Sequence, residues 1–272
     1  MKLYIVIDNN PSETSPVLES EHGLCIYFNS CGENFLIDTG SSGKFISNLE
    51  NLDLTKIEDI EHVIISHGHN DHTGGLNRFL ELNSKAKIYL KGGVAFNKYN
   101  TNGKYIGIPQ EVKIPEERLV SVSETTIELA EGIYIVPNIK LYDHSDTHFD
   151  HFIVGDEMMD DRHDYFLDEQ FVTLVQDGKM TIVNGCAHRG IINIIQSAIS
   201  EFSLPLRYVI GGFHTRHENE EFMTNLAKKL NLYDIEKIVT CHCTGMNQYS
   251  ILKRDCKTNV EYGFVGKSIV ID

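Results

Sequence analysis

From Ser66 to Leu76 the chain reads Ser-His-Gly-His-Asn-Asp-His-Thr-Gly-Gly-Leu, which places His67, His69, Asp71 and His72 within six residues. Imidazole and carboxylate are the donors that borderline divalent metals take. If residues 67–69 stay extended, the two-residue period of a strand points His67 and His69 the same way. Asp71 and His72 are adjacent, so they diverge. The simplest use of the stretch is a metal pair, with His67 and His69 on one ion and Asp71 and His72 on the other. Two ions can clamp both the attacking and the leaving oxygen of a displacement. Thirteen histidines in 272 residues make an isolated His-x-His ordinary. The whole array directly after Val63-Ile64-Ile65, a short buried-strand signal, is not.

Three later histidines share a second context. His188, His214 and His242 each follow an apolar strand candidate (180–183, 208–210 and 237–240) through a turn bearing Gly or Cys. Ligands of α/β sheets gather at the carboxyl ends of strands. Three such ends and the first loop can converge on one point. Arg189 opens the apolar helix that begins at Ile191. It could hold a phosphate together with that helix N-terminus, or be a surface arginine. Asp38, at the end of the strand Asn34-Phe35-Leu36-Ile37, could cap a helix over 44–52 or orient the histidine loop.

The remaining elements must position these groups. Apolar runs predict strands at 3–8, 24–28, 86–90, 119–122, 133–136, 171–176 and 268–271. Asp177-Gly178 marks a hairpin turn before the return strand at 180–183. Helices are expected over 44–52, from Leu76, over 191–202 and over 219–230. Residues 91–118 have no clear period and read as an insertion beside the active site. Residues 142–167 are rich in acid and histidine. They read either as a solvated loop or as a polar cover for the site. The order is strand-rich first, then βαβα from about residue 180. Helices can then cover two face-to-face sheets in a four-layer αββα sandwich, a single α/β domain over 1–272.

Ser-His-Gly-His-Asn-Asp-His-Thr-Gly-Gly-Leu resembles the signature of the metallo-β-lactamase-fold hydrolases, αββα sandwiches with a metal pair at one edge. Further segments sharpen the resemblance, in this order: Glu21-His22-Gly23-Leu24, Asp38-Thr39-Gly40, the metal loop, Asp168-Glu169-Gln170, Asn184-Gly185-Cys186-Ala187-His188-Arg189-Gly190-Ile191, Gly211-Gly212-Phe213-His214 and His242-Cys243-Thr244-Gly245. Together they look like the subfamily named for 7,8-dihydropterin-6-methyl-4-(β-D-ribofuranosyl)aminobenzene 5′-phosphate synthase. The resemblance implies a support role for Asp38 beneath the metal site. It implies metal ligands at His67, His69, Asp71, His72, His188 and His242, with His214 just outside them. One departure stands out. The bridging Asp of the wider superfamily, often in Gly-Asp, has no counterpart here, and Gly185-Cys186-Ala187-His188 occupies its place. His188 or the Cys186 thiolate could substitute, or the second metal could be weakly held; Cys186 could equally be a small core residue.

The expectation is therefore a dinuclear metal-dependent hydrolase or transferase acting on a small phosphorylated or ester-like substrate, with a pterin-related synthase as its specific form. Asp71, His214 and Arg189 are the residues expected to act on nucleophile and substrate. The cofactors expected are two divalent ions, zinc first, with manganese or iron able to use the same ligands. The rivals are an iron-dependent oxidoreductase of the same fold and a non-catalytic metal or ligand sensor. A net charge of −15 disfavours a nucleic-acid partner. It is compatible with a small anionic substrate, because a metal pair supplies local positive charge. The N-terminus reads at once as a strand, without a signal-peptide pattern. No run approaches the ~18 apolar residues of a membrane span. A cytoplasmic protein with its six cysteines reduced is expected.

Overall fold

The structure, a computed structural model, describes residues 1–92, 97–155 and 163–272. Asp156, Glu157, Asp160 and Asp161 of the acidic stretch, and residues 93–96 of the insertion, lie outside them. The chain forms two compact units. One comprises Met1–Ser123, Phe149–Asp168 and Phe264–Asp272, the other Glu124–His148 and Glu169–Gly263.

The first unit is built on a mixed seven-stranded sheet. Its order is Ser268–Val270, Lys2–Ile7, Cys25–Ser30, Glu33–Ile37, His62–Ile64, Lys87–Lys91 and Leu119–Val122. The strands pair antiparallel as far as Glu33–Ile37 and parallel beyond it. Val6, Leu36, Val63 and Ile88 of the sheet share a core with Phe45 and Leu49 of helix Lys44–Asn51 and with Leu76 and Phe79 of helix Leu76–Leu82. A separate two-stranded ribbon pairs Lys98–Asn100 with Phe152–Val154. The aperiodic segment 91–118 and the polar segment 142–167 are thus partners of each other.

The second unit has its own seven-stranded mixed sheet, ordered Asn259–Tyr262, Ile235–Thr240, Leu206–Gly211, Lys179–Asn184, Phe171–Gln176, Ile133–Val136 and Ile127–Ala130. The hairpin expected at Asp177-Gly178 is present, with φ +52° and +71° at its two central residues. Helices Ile191–Phe202, Glu220–Leu230 and Met246–Asp255 bury Ile191, Ile195, Met223, Leu226 and Leu252 in one core with Ile182, Val209 and Ile238 of the sheet. The strands Ile127–Ala130 and Asn259–Tyr262 have no counterpart among the sequence expectations. Both are short edge strands with mixed polar and apolar residues, so neither carries a clear run.

Candidate metal centre

In the first unit the parallel register Ile37↔Ile64 sets two strand ends side by side. Asp38 follows one and Ser66 follows the other. The Asp38 carboxylate is fully buried and accepts three hydrogen bonds. Ser66 N donates to Oδ1 at 2.7 Å, Ser66 Oγ to Oδ2 at 2.7 Å, and His72 Nδ1 to Oδ2 at 2.6 Å. Of the two roles open to Asp38, the structure therefore gives support of the histidine loop.

These bonds fix ring protons. The single hydroxyl proton of Ser66 is committed to Asp38, so Ser66 Oγ, 3.0 Å from His67 Nδ1, accepts from that ring nitrogen. His67 and His72 both then carry their proton on Nδ1 and keep the Nε2 lone pair. A metal-ligating imidazole is arranged in this way, its second nitrogen held by an outer acceptor.

His67, His69 and His72 are buried together, with ring centroids 4.7 Å apart for His67–His69 and 4.3 Å for His67–His72. Burial first, then the neighbouring His72 and His69, holds the His67 pKa well below the ordinary value. Burial, then Lys98, pushes His69 down to about 3. Unprotonated imidazoles are what a cation requires. Asp71 and His72 do not diverge as an extended chain would make them. His69 caps a helical turn, Asn70–Thr73, which brings Asp71 Oδ2 within 3.9 Å of His72 Nε2. Close packing requires Gly75, where a Cβ would lie 2.3 Å from Thr39 O.

The ribbon supplies a second support. Lys98 is fully buried, with Nζ 2.5 Å from Asp164 Oδ2 and 2.9 Å from Asp168 Oδ1. Asp168 Oδ2 accepts Gly68 N at 2.8 Å, between His67 and His69. Burial alone would lower the lysine pKa, but the Asp168 and Asp164 carboxylates outweigh it and raise it. Burial likewise opposes ionisation of Asp168, yet Lys98 and the Gly68 N–H hold it below the usual carboxylate range. Phe166 lies under Lys98 Nζ, 4.6 Å from its ring centroid, and meets His69 edge-on at 5.2 Å.

In the second unit the three predicted strand ends are adjacent. Lys179–Asn184, Leu206–Gly211 and Ile235–Thr240 run parallel, with Asn184, Gly211 and Thr240 in register. His188, His214 and His242 follow them, and the rings of His188 and His214 lie 4.0 Å apart. His188 and His242 are buried and His214 is half-buried. Ala187, His214 and His242 are left-handed, at φ +57°, +52° and +48°. Such strain in non-glycine residues gathers at functional sites. Glu169 holds the His188 turn, its two oxygens accepting His188 N and Arg189 N at 2.7 Å each. Arg189 Nε donates to Ile139 O at 3.0 Å. Cys186 and Cys243 are buried beside His214, their sulfurs and one ring nitrogen all within 4.8 Å of each other.

The acidic stretch is not uniformly solvated. Asp146, His148 and Asp164 are buried. Burial pushes Asp146 up to about 6, against the lowering effect of His148 and of the Ile192 N–H that its Oδ2 accepts at 2.7 Å. Lys98, Asp164 and Glu169 were not singled out by residue type and spacing. Nor was His22, whose Nε2 reaches Asp71 Oδ2 at 3.2 Å. Two of the four lie in segments already quoted, Glu21-His22-Gly23-Leu24 and Asp168-Glu169-Gln170.

A sequence profile of the metallo-β-lactamase superfamily matches residues 20–158, just over half of the chain. The chain belongs to the metallo-β-lactamase superfamily. Its fold is that of the superfamily, α/β with two mixed sheets flanked by helices. It is 27% identical, over 99% of its length and 96% of the relative's, to 7,8-dihydropterin-6-methyl-4-(β-D-ribofuranosyl)-aminobenzene-5′-phosphate synthase of Methanocaldococcus jannaschii. Among solved structures it is similar to Tm1679, described as a metal-dependent hydrolase of the β-lactamase superfamily. That match has TM-score 0.84 and 28% identity, covering 100% of this chain and 99% of the other. The metallo-β-lactamase-fold protein YhfI from Bacillus subtilis shares the fold at TM-score 0.56 and 13% identity, covering 98% of each chain. Among the described residues of this superfamily member, no helix is long and apolar enough to cross a membrane.

Proposed function

We propose that this superfamily member is a dinuclear metal-dependent hydrolase, or a transferase using the same centre, acting on a small anionic phosphorylated or ester-like substrate. The observation that carries the reading is the buried trio His67, His69 and His72, with the protons of His67 and His72 held on Nδ1 by Ser66 and Asp38. Metal-ligating imidazoles are held in this way, with the outer N–H bonded to an acceptor and the other nitrogen left to the ion. The donors fit a borderline divalent ion, zinc foremost, and manganese or iron would accept the same set.

His67 and His69 would hold one ion and Asp71 and His72 the other, and His188 and His242 would serve as further metal ligands. The motif order supports that assignment, and the similarity to Tm1679, described as a metal-dependent hydrolase, supports a metal at the centre. Bound there, the ions would bring the pKa of water toward neutrality and polarise the electrophilic centre. Asp71 would also orient the nucleophile. His214 would hydrogen-bond the substrate. Arg189 and the N-terminus of helix Ile191–Phe202 would take a phosphate group. The similarity to the pterin-related synthase supports a phosphorylated pterin precursor as the specific substrate.

The test is a turnover screen of phosphodiesters, esters, lactones and phosphorylated pterin precursors. The protein is run as purified, after chelation, and after reloading with zinc, manganese or iron. Turnover that chelation abolishes and one ion restores is expected. Equal turnover with and without metal, or metal binding with no turnover across the panel, refutes the reading.

A further inference from the structure

An exposed histidine is ordinarily free to rotate, yet His22, with its side chain 65% exposed, sits on a turn pinned at every residue. Glu21 Oε1 accepts Ser41 N and Ser42 N at 3.0 Å each, and its Oε2 accepts Ser42 Oγ at 2.6 Å. Ser41 Oγ donates to the His22 carbonyl. Leu24 N donates to Asp71 O at 3.2 Å. Gly23 lies so close to the metal loop that a Cβ there would be 2.5 Å from Asp71 O. Residues 21–24 are thereby built onto the backbone of Asp71.

The side chain is fixed as well. Gly23 N donates to Asn9 Oδ1 at 3.1 Å, which settles the orientation of that amide. Asn9 Nδ2 therefore faces His22 Nδ1, 3.0 Å away, and donates to it. The ring proton is then on Nε2, 3.2 Å from Asp71 Oδ2. Asp71 Oδ2 thus lies between a donor, His22 Nε2–H, and the lone pair of His72 Nε2 at 3.9 Å. A carboxylate on a short side chain beside solvent turns easily. A donor locked from behind holds its plane, as outer partners do for metal ligands.

We propose that His22 is a positioning residue for Asp71, holding its carboxylate in the orientation that binds the ion shared with His72. The proposal rests on the two-ion reading above. It gives His22 a role through the chain Gly23–Asn9–His22–Asp71.

The test is zinc titration of the metal-free full chain against a chromophoric chelator, for wild type, His22→Ala and His22→Gln. Wild type binds two ions. In His22→Ala one of the two ions, that of Asp71 and His72, loses about 10- to 100-fold in affinity while the other is unchanged. In His22→Gln affinity returns, because a glutamine amide can offer an N–H near the place of Nε2. Equal affinities in wild type and His22→Ala overturn the inference. Equal loss in both variants overturns the donor role and makes the imidazole itself a ligand. A wild type that binds a single ion overturns the two-ion reading and this inference with it.

Discussion

Replacing Asp38 with Asn tests whether this buried carboxylate sets the histidine tautomers. Asn adopts left-handed backbone at least as readily as Asp, so φ +62° at residue 38 adds no strain. The hydrogen bonds cannot be reproduced. The carboxylate accepts from Ser66 N on one oxygen and from Ser66 Oγ and His72 Nδ1 on the other. An amide has one oxygen. If that oxygen takes the Oδ2 place, the NH2 group faces Ser66 N–H, donor against donor. A buried donor left in this way costs about 1–3 kcal/mol. If the oxygen takes the Oδ1 place, the NH2 group faces Ser66 Oγ and His72 Nδ1. His72 must then move its proton to Nε2, which removes the lone pair that a cation would take. Ser66 can turn its hydroxyl to His67 and force the same change there. The second arrangement preserves stability at the expense of metal affinity, by about 10- to 100-fold. Chemical denaturation of the metal-free protein and zinc competition with a chelator measure the two outcomes. One or both must fall. An Asp38→Asn protein with wild-type stability and wild-type affinity would refute the tautomer argument.

Three further substitutions probe other parts of the structure. Lys98→Met leaves Asp164 and Asp168 facing each other without their buried cation, and denaturation should show a loss of about 3–5 kcal/mol; a change below ~1 kcal/mol would remove the lysine from the support of the loop. Asp146→Asn has a pH signature: the folded carboxyl titrates near 6 against 3.8 when free, so its contribution is complete below 3.8 and fades as pH rises through 6. The substitution should therefore stabilise the protein by up to about 3 kcal/mol at pH 8 and not below pH 4; pH-independent stability differences would contradict the assignment. His188→Ala should lower bound metal measured by elemental analysis, whereas His214→Ala should lower turnover and keep the metal; the reverse pattern would exchange the two roles.

The chemistry of the metal loop was legible because its residues are contiguous, and the strand ends because apolar runs announce them. What stayed hidden depends on partners distant in sequence. Lys98 lies in a stretch without periodicity, and a lysine there reads as exposed. Its burial is decided by carboxylates 66 and 70 residues away. The ribbon that carries it joins two segments that each look irregular alone. Asp71 and His72 look divergent only if the strand period runs past His69. The helical turn begins there, with neighbours about 100° rather than 180° apart.

The same limit explains the backbone. Asp38, Ala187, His214 and His242 are left-handed without being glycine. Each such residue costs roughly 1–2 kcal/mol, and none is forced by a tight hairpin. Each lies just past the carboxyl end of a strand, where the chain must turn sharply if a side chain is to stand at the sheet edge. The surroundings hold Asp38 with three hydrogen bonds and His214 through its N–H to Cys243 Sγ at 3.3 Å. Local rules favour glycine at such positions, and glycine would relieve the strain. It would also remove the carboxylate and the imidazoles that these turns present. Departures from local preference are expected where side-chain chemistry outranks backbone economy. Their presence on these strand ends, at candidate ligands or beside them, is physical support for placing the chemistry there.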